Sequence, residues 1–306
     1  MSASGSTRAI LAALTANAGI AVAKFIGYVI TGSSSMLAEA VHSVADTSNQ
    51  ALLLLGQRRA KREATSLHQF GYGRSRFFYS FVVALVLFSL GAVFALYEGY
   101  HKIAEPHPLT SPFVAIGILV VAIGLESYSF RTAMVESRPL KGTGTWWQFI
   151  RRSRNPELPV VLLEDTGALL GLIFALVGVG LSVLTGNPIW DGIGTMLIGA
   201  LLAVIAVILM VEMHSLLIGE SATGEELTAI QSALEQADHV ERVIHLRTQY
   251  LGPEEMLVAA KIALAPSTDL ATVAAAIDRA EAAVRAAVPT AALIYIEPDL
   301  DRSLAR

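Results

Sequence analysis

The chain has 306 residues, of which 54% are hydrophobic and 16% charged, with no cysteine and a formal net charge of −4. An ordinary soluble domain is about 25% charged, so this chain has too few charges to coat a globule of its size, and its mean hydropathy is +0.56. The missing cysteines exclude a disulfide framework and any thiolate metal site. Residues 1–219 carry 15 Lys/Arg against 12 Asp/Glu (+3), and residues 220–306 carry 7 against 14 (−7). A weakly basic apolar part with an acidic tail argues against nucleic-acid binding, which favours clustered Lys and Arg.

In chain order, seven mostly small or polar residues precede an apolar run interrupted by Asn17 and Lys24. No small-x-small cleavage site follows, so the first helix is expected to be retained rather than removed as a signal peptide. A bilayer-spanning helix needs about 20 mostly apolar residues. Six segments qualify, at about 8–30, 35–57, 77–100, 112–133, 158–184 and 189–216. The second is the least apolar, because it holds Glu39, His42, Asp46 and Asn49.

Lys and Arg stay on the cytoplasmic side of short loops. The loop after span two carries Arg58, Arg59, Lys61, Arg62, Arg74 and Arg76, and the loop after span four carries Arg138, Lys141, Arg151, Arg152 and Arg154. The Thr31–Ser34 and Thr185–Pro188 links carry no charge, and the link after span three has only Lys102. Both termini are therefore expected in the cytoplasm, with the chain in a membrane of the bacterial inner (cytoplasmic) type.

The tail is read as a small α+β domain. Thr223 with Glu226 is a capping-box pattern opening a helix through about Gln236. Val240–Tyr250 and Met256–Leu264 are expected as paired strands, with Gly252 and Pro253 in the turn. Asp269 caps an Ala-rich helix to about Val288, ended by Pro289, and Ala291–Glu297 is a last strand. The order αββαβ suggests a ferredoxin-like fold. The expected architecture is thus an all-α polytopic membrane domain of six transmembrane helices (1–217) followed by a ferredoxin-like cytoplasmic domain (218–306).

Ionisable groups at bilayer depth are costly, rare and usually functional. His42 and Asp46 are four residues apart, about 400° of helix, so their side chains point the same way. One imidazole nitrogen and one carboxylate a turn apart make half of a tetrahedral metal site; the competing reading is a structural His–Asp hydrogen bond. Glu164 and Asp165 open span five, and adjacent helix positions diverge by about 100°. Asp165 is the better ligand candidate; Glu164 is a second ligand, a proton acceptor or an ion-pair partner. Glu126 pairs with Arg131, carries a proton or sits at the interface, and the structural reading is preferred. Asn17 and Lys24 are expected to hydrogen-bond neighbouring helices, or Lys24 to snorkel, and Asp191 is read as a cap. His68, His101 and His107 are read as solvated.

The run Gly32-Ser33-Ser34-Ser35-Met36-Leu37-Ala38-Glu39-Ala40-Val41-His42-Ser43-Val44-Ala45-Asp46, eight residues after Lys24, resembles the second-helix signature of the cation diffusion facilitator family. So do His68-x-Phe70-Gly71-Tyr72-Gly73-Arg74, Asp191-Gly192 with Leu197-Ile198-Gly199, Leu246-Arg247-Thr248, and the closing Ile296-Glu297-Pro298-Asp299. Leu163-Glu164-Asp165-Thr166 further resembles the branch containing the mammalian zinc transporter nine. The resemblance implies a homodimer of six-helix protomers with cytosolic ferredoxin-like domains, exchanging metal for protons. Its transport site takes two ligands from helix two and two from helix five. By position His42, Asp46 and Asp165 fall on that motif, while Val161 stands where the family places a histidine. Glu164, water or another residue is left as the fourth ligand. In the tail, Lys261 and Tyr295 stand where some members carry accessory ligands, and only His239 and His245 remain, so no binuclear tail site is expected.

The sequence-level expectation is a proton-coupled efflux antiporter for a divalent cation, zinc first, with manganese, iron(II) or cobalt as alternatives. No tightly bound cofactor and no enzymatic activity are expected; the aspartate motifs do not fit an intramembrane aspartyl protease. A membrane metal sensor or scaffold is the competing class.

Overall fold

The computed structural model describes residues 3–300, with side chains from Asn17 onward other than Leu140. The side chains at the start of the first expected span therefore lie outside what is described, as do residues 1–2 of the first expected domain and 301–306 of the second. The chain divides into two compact units, Met1–Arg58 with Phe78–His214, and Arg59–Phe77 with Ser215–Arg306.

The first unit is helical throughout. Its elements are α1 (Ala3–Thr31), α2 (Ser34–Ala60), α3 (Ser75–Val86), α4 (Phe94–Ala104), α5 (Pro112–Lys141), α6 (Trp146–Arg152), α7 (Glu157–Thr185) and α8 (Ile189–Ile218). A π-helical stretch, Leu87–Val93, joins α3 and α4 into one rod. Among the described residues, four helices are long and apolar enough to cross a membrane: Ser75–Ala104, Pro112–Pro139, Glu157–Thr185 and Ile189–Ile218. Helix α1 adds a shorter apolar stretch, Asn17–Thr31. Helix α2 has the length, at 27 residues, but its polar stripe lowers its hydropathy. Large apolar side chains such as Tyr97, Val121, Val204, Val207 and Val211 stand exposed on the outside of these helices, the reverse of a water-facing surface and the arrangement lipid requires.

Packing inside the unit relies on small residues, which let helix backbones approach closely. A Cβ on Gly178 of α7 would meet the Trp190 carbonyl of α8 at 2.9 Å, and one on Gly194 would meet the Phe174 carbonyl at 2.9 Å. The two helices touch backbone to backbone there. Helix α6 is opened by a capping box in which Thr145 and Gln148 satisfy each other's backbone N–H groups. It buries Phe149 and Ile150, which gives the segment around Trp146 and Trp147 a defined place.

The second unit holds α9 (Gly224–Glu235), β1 (Arg242–Gly252), β2 (Glu255–Ala263), α10 (Leu270–Ala287) and β3 (Leu293–Asp299). The sheet order is β1-β2-β3, with β1 and β2 antiparallel and β2 and β3 parallel. Ile230 and Leu234 of α9 and Ala280 and Val284 of α10 share one core with Met256, Val258 and Ala260 of β2. Alternate residues of β2 thus face the helices, as the period-two pleat dictates. The Thr223–Glu226 capping box and the Asp269 cap both form. The expected strands lie where these are found, displaced by about two residues at their ends. The interhelical loop belongs to this unit for a steric reason. Gly73 lies so close to β1 that a Cβ would meet the Leu251 carbonyl at 2.8 Å, and a Cβ on Gly252 would meet Gly73 Cα at 2.9 Å.

Candidate metal centre

At about 100° per residue, Glu39, His42, Asp46 and Asn49 of α2 fall within an arc of roughly 80°. All four are buried: Glu39, His42 and Asn49 have no exposed surface and Asp46 has 8%. One helix thus presents two carboxylates, an imidazole and an amide as a single stripe to the inside of the bundle.

Helix α7 meets that stripe with Glu164. The Asn49 amide donates to Glu164 Oε1 at 2.5 Å, and the carboxyl groups of Asp46 and Glu164 are neighbours. His42 Nδ1 stands 3.6 Å from Asp46 Oδ1. Both ring nitrogens of His42, Asp46 Oδ1 and Asn49 Oδ1 are buried without a hydrogen-bond partner. Such groups are normally satisfied, and each exception calls for a reason. A bound dication supplies one: two donors about 2.1 Å from a tetrahedral zinc stand roughly 3.4 Å apart, close to the spacing seen between His42 and Asp46. Among the described residues no three His, Asp or Glu side chains already converge as a finished cluster; the third donor, Glu164, reaches His42 only by way of Asp46.

The rotation of α7 decides which of the two neighbouring acids takes part. Val160, Glu164, Ala168 and Gly171 are buried along one face, and Gly171 is where that face meets α2, since a Cβ there would strike Glu39 Oε1 at 2.6 Å. Val161 packs against the buried cluster of Ala133 of α5, Phe149 of α6 and Leu162, which Phe130, Met134 and Trp146 also flank. Asp165, four residues on, shares that side: it is half-buried and accepts a hydrogen bond from Ser129 of α5 at 3.2 Å. Of the four sequence candidates, the structure sets His42 beside Asp46 and Asp46 beside Glu164, and places Asp165 against α5.

Two further residues adjoin the site, and for Lys24 the structure selects the expected hydrogen bonding to a neighbouring helix over snorkelling. Lys24 of α1 does not snorkel; it is 1% exposed and bonds Glu39 Oε2 at 3.0 Å and Ser43 Oγ at 2.8 Å. Asn49 orients Glu164, the kind of outer partner that fixes a ligand's direction. The helical wheel of α2 carried a signal for both, since 39 and 49 lie on the same arc as 42 and 46. Glu126 stands within electrostatic reach of Asp46, Glu164 and Asp165 rather than paired with Arg131.

Asp191 is a cap, but of another helix. It is fully buried, and its carboxylate accepts from Ser33 Oγ at 2.8 Å, Ser34 N at 2.9 Å, Ser34 Oγ at 3.1 Å and Ser35 N at 3.3 Å. A carboxylate at a helix N-terminus meets its free N–H groups and its dipole; here the helix is α2. Lys102 does the converse, donating to the Gly32 carbonyl at 3.2 Å just past the C-terminus of α1. In the tail, Lys261 bonds Glu297 at 2.9 Å and Asp299 at 3.0 Å, so an ammonium group already lies between those carboxylates. His68 stacks on Tyr72 in the exposed loop, with ring centroids 4.6 Å apart.

A family model of the cation efflux transmembrane domain matches residues 10–218, and one of the cation efflux protein cytoplasmic domain matches residues 222–299. A mitochondrial protein of Mus musculus described as a proton-coupled zinc antiporter is 32% identical over 251 residues, covering 81% of this chain and 44% of the relative. A metal tolerance protein of Arabidopsis thaliana is 29% identical over 259 residues, covering 84% and 57%. The magnetosome protein MamB of Magnetospira is 24% identical over 239 residues, covering 78% and 76%. The chain thus spans less than half the length of the mouse relative and just over half of the plant one.

Proposed function

This chain belongs to the cation diffusion facilitator (cation efflux) family, on its zinc transporter nine-like branch, and from that premise we propose that it moves a divalent cation, zinc first, across a membrane in exchange for protons. The observation that carries the proposal is the buried His42 imidazole with both nitrogens unpartnered, 3.6 Å from Asp46 and in the same stripe as Glu164's partners.

In this reading His42, Asp46 and Glu164 hold the ion. Binding requires a neutral imidazole and ionised carboxylates, so loading releases protons and protonation expels the ion. Asp165 lies one residue, about 100°, away on α7. It takes the ion in place of Glu164 if α7 turns between the two access states. One nitrogen with two or three oxygen donors suits zinc and also manganese, iron(II) or cobalt; with Val161 standing where the resemblance places a histidine, Glu164 as the replacement ligand shifts the set toward oxygen. We further assign six spans, counting α1 and α2 with the four apolar rods, both termini on the cytoplasmic side, a ferredoxin-like tail at 218–306, and a homodimer. Helix α2 crosses despite its polarity because its polar stripe faces the bundle.

The test is flux in proteoliposomes of the purified full-length chain, read with a metal-sensitive dye across a metal panel and an imposed pH gradient. Zinc movement that follows the gradient and disappears in His42→Ala is expected. Flux indifferent to the gradient would remove the exchange, and zinc binding without flux would make the protein a sensor.

A further inference from the structure

The acid cluster has an internal counter-charge in Lys24. Asp46, Glu164, Asp165 and Glu126 crowd the junction of α2, α5 and α7, and Glu39 continues the stripe. The ammonium group of Lys24 lies beside them, buried, and its field reaches His42, Asp46 and Glu126 as well as Glu39. Its contacts are specific. Glu39 Oε2 and Ser43 Oγ hold it at 3.0 and 2.8 Å, while Glu39 Oε1 is buried with no partner over the space left by Gly171.

A buried ion pair is weak evidence of stabilisation, since well-packed apolar residues do as well or better. Its place, one turn from His42, has an electrostatic consequence instead. A fixed positive charge near a site that must accept a dication lowers the affinity of that site, and the carboxylate bound to it tempers the effect. We propose that Lys24 and Glu39 form an affinity-setting pair: the Lys24 ammonium opposes the bound dication through space so that it can be released, and Glu39 limits that opposition. This rests on the reading of His42, Asp46 and Glu164 as the ion's ligands. Neither Lys24 nor Glu39 touches the ion.

The pair is tested by zinc titration of the purified full-length protein against a competing chelator dye, with thermal stability recorded for each variant. Glu39→Gln leaves the ammonium untempered, and zinc binding is expected to weaken about tenfold or more, the scale of a unit charge acting on a dication at an effective dielectric near 20. Lys24→Met in the Glu39→Gln background removes the opposing charge and is expected to restore binding to the wild-type level or tighter. Lys24→Met alone is expected to tighten binding. Should that single variant not fold, the double variant, which carries no lone buried charge, decides. If the double variant binds as weakly as Glu39→Gln, Glu39 is itself a ligand and the proposal fails. It fails equally if all three variants lose stability with zinc affinity unchanged. A wild-type protein that binds zinc, but no more weakly after His42→Ala, would overturn the ligand reading instead.

Discussion

Two buried acidic sites in the first unit differ in one respect that separates scaffold from function. Asp191 is enclosed where α1 turns into α2, and its carboxylate oxygens accept four hydrogen bonds from Ser33, Ser34 and Ser35. Asp46 is enclosed at mid-helix, with one oxygen unpartnered beside an imidazole whose two nitrogens are also unpartnered. Burial is expensive at both places. At the first the surrounding chain meets the demand in full, and at the second it leaves donors facing one another. Satisfied burial reads as architecture, and unsatisfied burial around mixed nitrogen and oxygen donors reads as a place for a cation.

The comparison breaks if the two sites respond alike. His42→Ala or Asp46→Ala should lower zinc flux by on the order of a hundredfold or more, the loss that follows removal of a ligand or its orienting partner. Asp191→Ala protein that remains folded should bind zinc within about threefold of wild type, because its carboxylate is a cap. Flux measured with all three variants reconstituted at matched density decides between them.

Within the second site, Glu164→Gln should weaken zinc binding by about ten- to a hundredfold, and Asp165→Asn by several-fold at most in the state described here. Titration of both with the chelator dye sharpens the assignment. A reversed order would mean that α7 binds the ion in a different rotation.

For the first site the expected change is in stability. Asp191→Ala leaves the Ser33, Ser34 and Ser35 donors unmet at the start of α2, at a cost of about 3 kcal/mol, read as earlier thermal unfolding in detergent. An unchanged unfolding temperature would remove the cap from the account.

The smallest effect belongs to a third arrangement, the pair of acids in the tail, Glu297 exposed and Asp299 half-buried. Glu297 and Asp299 hold the Lys261 ammonium above its ordinary pKa of 10.5. A raised pKa adds stability that is complete below pH 10.5 and is lost as pH climbs through the raised value. Melting of the full chain should therefore fall slightly more steeply above that pH than it does for Lys261→Met. Parallel curves would show that the bridge contributes nothing measurable, the usual outcome for exposed pairs.

The stripe of α2 was legible because it depends on one helix alone: residues 39, 42, 46 and 49 share an arc whatever surrounds them. The tail was legible for a similar reason, since the Thr223 box, the Asp269 cap and the turn at Pro253, just after Gly252 ends β1, are local signals. What the sequence could not show is rotation and distance. Whether Glu164 or Asp165 faces α2 turns on a rotation of about 100°, set by Leu162 and Val161 packing with Ala133 and Phe149 and by Gly171 clearing space for Glu39. No periodicity within α7 carries that information. Asp191 was identifiable as a cap, but the helix it caps begins 157 residues earlier in the chain. Lys24 and Glu39 are 15 residues apart on different helices, and only the packing of α1 against α2 makes them a pair.

The most direct measurement is X-ray absorption at the zinc edge of the zinc-loaded, full-length protein. One imidazole among light oxygen neighbours, lost in His42→Ala and kept in Asp191→Ala, is the predicted spectrum. A spectrum without an imidazole, or one that survives His42→Ala unchanged, would contradict a cation site at the unpartnered face of α2.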